Sequence, residues 1–359
     1  ELHSDAALLR RRGIRHGWVR ARDSVSSTDD EGVMLLHWHQ AKPIHLPSQL
    51  LPSVPDHAEH IRDALGIMQR VRGGESCLDI LDEPRYQQRL QPDFEMLAAV
   101  HSGHDPQEIE KITFDAVKSG ELFAEDLWMK VSRLSFYEED ASIRFRFSYG
   151  LEMFKAQEDD PLRERLAAEL AQRVFPECAM VTENAELNAL LRCMLGMQPL
   201  FVERIIYSNA PNGGAQFHQD VEQGHLGVVY AQLHGRTGWL ALPRNELIDE
   251  IRTFLAEGSS LLSADFDEDQ LESLQYLARD EQRLVEALES EDQGVLEQLL
   301  NHSPLFTRRL VEHGWGILLQ AGDVLLLPQQ ATDLCCWHAV FCLDEEPGHA
   351  LSFALATGA

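Results

Sequence analysis

His218 and Asp220 stand two residues apart within residues 212–243, NGGAQFHQDVEQGHLGVVYAQLHGRTGWLALP. On extended backbone that spacing puts an imidazole and a carboxylate on one face. A third candidate ligand, His338, lies far downstream in residues 322–340, GDVLLLPQQATDLCCWHAV. Two imidazole nitrogens and one carboxylate oxygen suit a divalent first-row metal. Gathered on one side of the ion, they leave its other positions open to small molecules.

The setting sharpens the pattern. A glycine-rich turn (Asn212, Gly213, Gly214) leads into the triplet, a strand-like run follows at 227–233, and another at 239–242 ends at Pro243. Downstream, Gly322-Asp323 turns into the apolar run 324–327, Pro328 closes it, and Trp337-His338-Ala339-Val340 opens the next strand. That order resembles the JmjC and cupin-like branch of the Fe(II)/2-oxoglutarate oxygenases, whose double-stranded β-helix carries His-x-Asp early and the second His late. The likeness covers about the C-terminal two fifths of the chain, without residues 244–313.

The resemblance implies Fe(II) held by His218, Asp220 and His338, with molecular oxygen and 2-oxoglutarate at the open positions. The acid would be split to succinate and carbon dioxide while the substrate is hydroxylated. The carboxylate of Asp220 speaks against halogenation. Each ligand also has a plainer role beside this one: His218 in a turn, Asp220 capping a loop, His338 packed in the core. Cys335 and Cys336 precede His338 and read as small buried packing groups.

The residues that would hold the far carboxylate of 2-oxoglutarate depart from the family pattern. After His-x-Asp that pattern has a lysine where this chain has Thr237, in Tyr230-Ala231-Gln232-Leu233-His234-Gly235-Arg236-Thr237. A hydroxyl brings one hydrogen bond and no charge, and alternation sends Arg236 to the other face. The second expected anchor, Arg-x-Ser past the late histidine, becomes His349-Ala350-Leu351-Ser352, so Ser352 fits and His349 is a pH-dependent substitute. Arg204, on the strand 201–208, is a third candidate. Tyr207, Tyr230 and Gln216 could hydrogen-bond the acid, and Trp239 and Trp337 could wall the site.

The 359-residue chain has an apolar share of 44% and a formal charge of -28. That charge argues against nucleic acid and anionic lipid as partners, which are bound through basic patches. No run is long enough for a membrane helix and no apolar leader is present, which points to the cytoplasm. Cysteines 77, 178, 193, 335, 336 and 342 show no CxxC pair and read as reduced thiols.

Pattern predicts an α+β protein with a double-stranded β-helix core. Residues 1–125 read as a mixed α/β region, with an arm or strand and a loop within 1–30. A strand is expected at 33–40, a proline-rich connector at 42–55, and helices at 56–71, 106–119 and 122–130. Residues 126–243 carry a hairpin (131–137 with 142–149), helices at 161–173 and 184–197, and the first core strands from Phe201. Arg144 and Arg146, on the polar face of that hairpin, could touch substrate or simply be solvated. Residues 244–313 form an acidic helical insertion, with helices at 246–256, 267–278, 280–288 and 293–301, able to close over the metal mouth or to make a dimer contact. Residues 314–359 supply the last core strands.

The substrate expected is a small molecule or peptide. The rivals are an iron oxygenase or oxidase of the same fold that does not use 2-oxoglutarate, and a non-catalytic cupin-like binding protein.

Overall fold

The computed structural model describes residues 6–20, 30–101, 103, 105–136, 140–150, 160–257, 265–290 and 292–357. β1 (Ala6–Arg11) and β2 (Ile14–Arg20) form a separate hairpin. α1 (Glu31–His39), β3 (Ile44–Leu46), α2 (Val54–Arg72), α3 (Cys77–Leu81) and α4 (Pro84–Leu90) follow. β4 (Phe94–Val100), β5 (Glu108–Lys118), β6 (Glu121–Arg133) and β7 (Ile143–Tyr149) then make an antiparallel meander. Next come α5 (Pro161–Val174), α6 (Ala179–Thr182) and α7 (Ala185–Leu195), then β8 (Pro199–Asn209), β9 (His225–His234) and β10 (Thr237–Pro243). Helices α8 (Arg244–Glu257), α9 (Glu268–Ala278), α10 (Glu281–Glu289), α11 (Val295–His302) and α12 (Pro304–Glu312) separate β10 from β11 (Gly316–Leu319). β12 (Val324–Ala331), β13 (Leu334–Cys342) and β14 (Gly348–Thr357) close the chain.

The result is a mixed helix-and-sheet protein around a large antiparallel sheet. Its hydrogen-bonded order is β11-β10-β13-β12-β9-β14-β8-β7-β6-β5-β4, with β3 added to β12. The sheet doubles over at the β12–β13 hairpin, and the two limbs meet through their side chains. Val228, Tyr230, Leu325 and Leu327 of one limb pack with Trp239, Ala241, Ile317 and Cys336 of the other. Strand alternation sends the intervening residues outward. Leu351 and Phe353 thus pack under α2 to α7, while Leu240, Leu242 and Trp337 pack against the insertion and the β1–β2 hairpin. Both faces of each limb are therefore covered, which is why β9 and β12 read as nearly continuous apolar runs.

Three expected elements are of the other type. Residues 33–40 are helix α1, because the Asp30 side chain accepts from the backbone N–H of Gly32 and Val33 and so caps a helix start. Residues 106–119 and 122–130 are strands β5 and β6. Ser119 and Gly120 both have positive φ, 55° and 82°, and make the two-residue turn of a β-hairpin instead of a helix end. Ile112, Phe114 and Ala116 alternate inward there, a period of two concealed by an accidental helical spacing of Ile109, Ile112 and Val117. The loop expected after residue 20 falls mostly outside the described residues, as do parts of the 131–137 strand and of the turn after it. Among the described residues no helix is long and apolar enough to cross a membrane.

The hairpin is bound to the insertion through His16 on β2, which is 1% exposed, with Nδ1 3.1 Å from the Thr307 hydroxyl oxygen and its ring edge-on to Phe341. Burial, then the nearby Arg11 and His302, pushes its pKa down to about 3. The unfolded chain titrates this ring near 6.5, so the unfolded state binds the extra proton between those values. Stability from the neutral ring is complete above about pH 6.5 and falls as the pH drops towards 3. His16→Gln should reduce the loss of unfolding free energy between about pH 7 and about pH 5 by about 2 kcal/mol, read from urea melts at both pH values.

Candidate metal centre

A strand pairing brings the ligands together. The segment 213–218 runs along the side of β13 that β10 leaves free. Cys342 N–H donates to Gly213 O (3.1 Å), Val340 N–H to Ala215 O (2.9 Å), and His218 and His338 exchange both backbone hydrogen bonds (3.0 and 2.9 Å). Such directly opposed residues point to the same side. Gly214 permits the approach, since a Cβ there would collide with the Val340 carbonyl and its φ is +135°.

The two imidazole rings lie 4.2 Å apart between centroids. Nδ1 of His218 lies 2.7 Å from Gln216 O and Nδ1 of His338 lies 3.3 Å from Cys336 O. Backbone carbonyls only accept, so both Nδ1 atoms carry the proton and both Nε2 lone pairs are left free. Those lone pairs face Asp220, with His218 Nε2 3.5 Å from Oδ1 and His338 Nε2 3.4 Å from Oδ2. All three donor atoms lie within 4.8 Å of one another. Donors bound at right angles about 2.1 Å from an ion are about 3 Å apart, so the set fits a divalent metal after small movements. His338 is kept neutral, as a ligand must be: burial first, then His218, pushes its pKa down to about 4 against the opposing pull of Asp220. Its side chain is 3% exposed, whereas His218 and Asp220 are 42% and 37% exposed, so the open side of the site faces out past those two.

The insertion braces this centre from behind. Its described residues pack on the outer face of β10 and β13, opposite the face that carries His338. Asn301 on α11 accepts through Oδ1 from Phe217 N–H (2.8 Å) and from Arg11 (3.1 Å), and Arg11 also donates to Ala215 O. Gln216 donates to Glu297 at 2.8 Å. Asn301 and Arg11 were not legible from sequence: the asparagine sits in a leucine stripe and the arginine in a basic run.

The remaining expected site residues divide by face. Trp239 stacks on His338 (5.5 Å) and meets Tyr230 edge-on (4.6 Å), forming an inner wall. Tyr207 lies 6.3 Å from Tyr230 on the same side, and burial pushes its phenol up to about 12, with Asp220 and Glu203 adding and Arg144 opposing. Ser352, paired with Tyr230, faces inward too. Tyr230 and Thr237 both donate to Gln232 Oε1 (3.2 and 2.9 Å), Tyr230 accepts from Asn209, and Thr237 accepts from Trp239 Nε1. Gln232 was missed although it shares the period-two face of Tyr230.

Three expected groups point elsewhere. Arg204 lies over the Phe353 ring (5.6 Å), on the helix-covered face of β8 shared with Ile206. His349 is fully buried on that face, with Nε2 2.9 Å from Glu177 Oε1. Trp337 faces the insertion, whereas Arg236 pairs with Asp344 at the surface, on the other face as alternation expects. Glu203, Glu222 and His225 also converge within 4.8 Å, but Glu203 is ion-paired to Arg146.

No family model and no curated protein matches the sequence. Among solved structures, the chain is similar to the crystal structure of an oxidoreductase of the 2OG-Fe(II) oxygenase family from Burkholderia pseudomallei, at 8% identity and a TM-score of 0.33, covering 93% of this chain and 94% of that one. A likeness so distant fixes neither fold nor activity.

Asn301→Ala should lower stability by about 1–3 kcal/mol by stranding the buried Phe217 N–H and the Arg11 guanidinium, measured by urea unfolding. A change within error would show that the brace carries no energy.

Proposed function

We propose that this chain is a non-haem Fe(II) oxygenase, using 2-oxoglutarate and molecular oxygen to hydroxylate a small molecule or peptide. The observation that carries this is the convergence of His218, Asp220 and His338, with both free imidazole lone pairs aimed at one carboxylate and one side open. Such a two-histidine, one-carboxylate face is the ligand set of that enzyme class. The strand order gives further support. β8-β14-β9-β12 faces the segment 213–218 followed by β13-β10-β11, the interleaving of a double-stranded β-helix, with His218 at the end of its second strand, Asp220 just after it, and His338 on its seventh.

Bound Fe(II) would supply the oxygen and one-electron chemistry. The protein contributes everything around it. Asp220 brings a negative charge that offsets part of the charge of the ion. The Gln216 and Cys336 carbonyls fix both ring orientations. Trp239, Val228, Ile317, Leu319, Leu325 and Leu327 keep water from the inner end, and substrate approaches past His218 and Asp220.

One observation favours a variant of this reading in which 2-oxoglutarate is not used. Thr237, which stands where the family's lysine would be, is fully buried, and its hydroxyl is already engaged with Gln232 and Trp239. It therefore offers no charge and no spare donor to a far carboxylate.

Anaerobic titration of the metal-free chain should find one Fe(II) or Mn(II) per molecule, and His218→Ala, Asp220→Ala and His338→Ala should each weaken that binding by more than about 100-fold. Binding that survives the His218→Ala, Asp220→Ala double change would sink the assignment. Succinate released in step with oxygen consumption separates the 2-oxoglutarate enzyme from the variant without it.

A further inference from the structure

The inner sheet face does not end at β8. Arg144 lies directly opposite Tyr207 and Arg146 opposite Ile205, so the polar face of β7 continues the inner face of the β8 limb, which lies across from the limb that carries His218 and His338. Ser132 and Lys130 of β6 extend it further, opposite Arg144 and Arg146 respectively. Ile143, Phe145 and Phe147 take the other face, under the helices.

The cations on this face are engaged, with one exception. Arg146 pairs with Glu203, Lys130 Nζ lies 2.9 Å from Asp105 Oδ2, and Lys111 lies 4.5 Å over the Trp128 ring. Arg144 has no ion pair or hydrogen bond among the described residues, and its Nε is shut off from water without a partner. Asp105 is an anion within electrostatic range, and the Lys130 ammonium and the Ser132 hydroxyl (3.3 Å) already occupy it. A buried guanidinium donor left unpaired costs free energy that an arriving acceptor would recover. A planar fork beside a phenol suits a carboxylate.

We propose that Arg144, with Tyr207 beside it, is a carboxylate-binding subsite on the inner sheet face across from the metal centre, so that a ligand of this site carries an acidic group. It rests on the oxygenase reading for the chemistry next to it, but not for the binding itself. The acidic group has two candidate sources: the far carboxylate of a 2-oxo acid co-substrate, in place of the lysine that Thr237 replaces, or a carboxylate of the substrate.

Glutarate is the probe, titrated calorimetrically into the full-length metal-free chain. The wild type should bind it, and Arg144→Gln should weaken binding about tenfold or more. Arg144→Lys, which keeps the charge and loses the fork, should weaken it less but measurably, and it decides the matter if Arg144→Gln does not fold. Mn(II) affinity, read on the same samples, should be unchanged in both variants, so a failure of the metal assignment shows separately. Competition by 2-oxoglutarate in the Mn(II)-loaded chain assigns the subsite to the co-substrate, and glutarate binding that persists beside it assigns it to the substrate. No glutarate binding by the wild type, or equal binding by the wild type and the folded variants, overturns the proposal.

Discussion

The structure depends on two backbone hydrogen bonds that His218 and His338 exchange. They join residues far apart in sequence and, because an opposed antiparallel pair shares a face, they fix two imidazoles side by side before any ion arrives. Gly214 has to be without a side chain for the pairing to form, and the Gln216 and Cys336 carbonyls set the rings once it has. The third donor needs nothing more than the two-residue spacing to Asp220.

Around that pairing the molecule is layered. One limb of the sheet lies between the N-terminal helices and the inner core, and the other lies between the inner core and the insertion. From its place in the chain the insertion reads equally well as a lid. Its described helices act as a buttress: their leucines face the outward side chains of β10 and β13, and Asn301 holds the backbone of segment 213–218.

The convergence of His218, Asp220 and His338 was legible because two of them are close in sequence and all three are of unusual chemical type for a strand. The core strands from Phe201 onward were legible for a related reason, as apolar runs bounded by glycine and proline. The meander β4 to β6 was not, since Ile109, Ile112 and Val117 satisfy a helical spacing by chance and only the paired positive φ of Ser119 and Gly120 reveals the turn. The direction of Arg204 and His349 was also hidden. Whether an inward or outward residue faces the candidate site depends on which limb a strand joins, and the bulge in β8 between Val202 and Ile205, opposite Ser352 and Ala354, shifts that register.

The unequal cover over the three donors has a consequence for handling the protein. On the proposed assignment, with His338 sealed and the other two candidate ligands open to solvent, ions would exchange through one outward face without any opening of the fold. Such a site would take whichever divalent ion its surroundings offer, since copper, nickel and zinc outrank ferrous iron at nitrogen and oxygen donors. The metal found after isolation would then record the buffer and the cell's supply as much as the chemistry the site is built for.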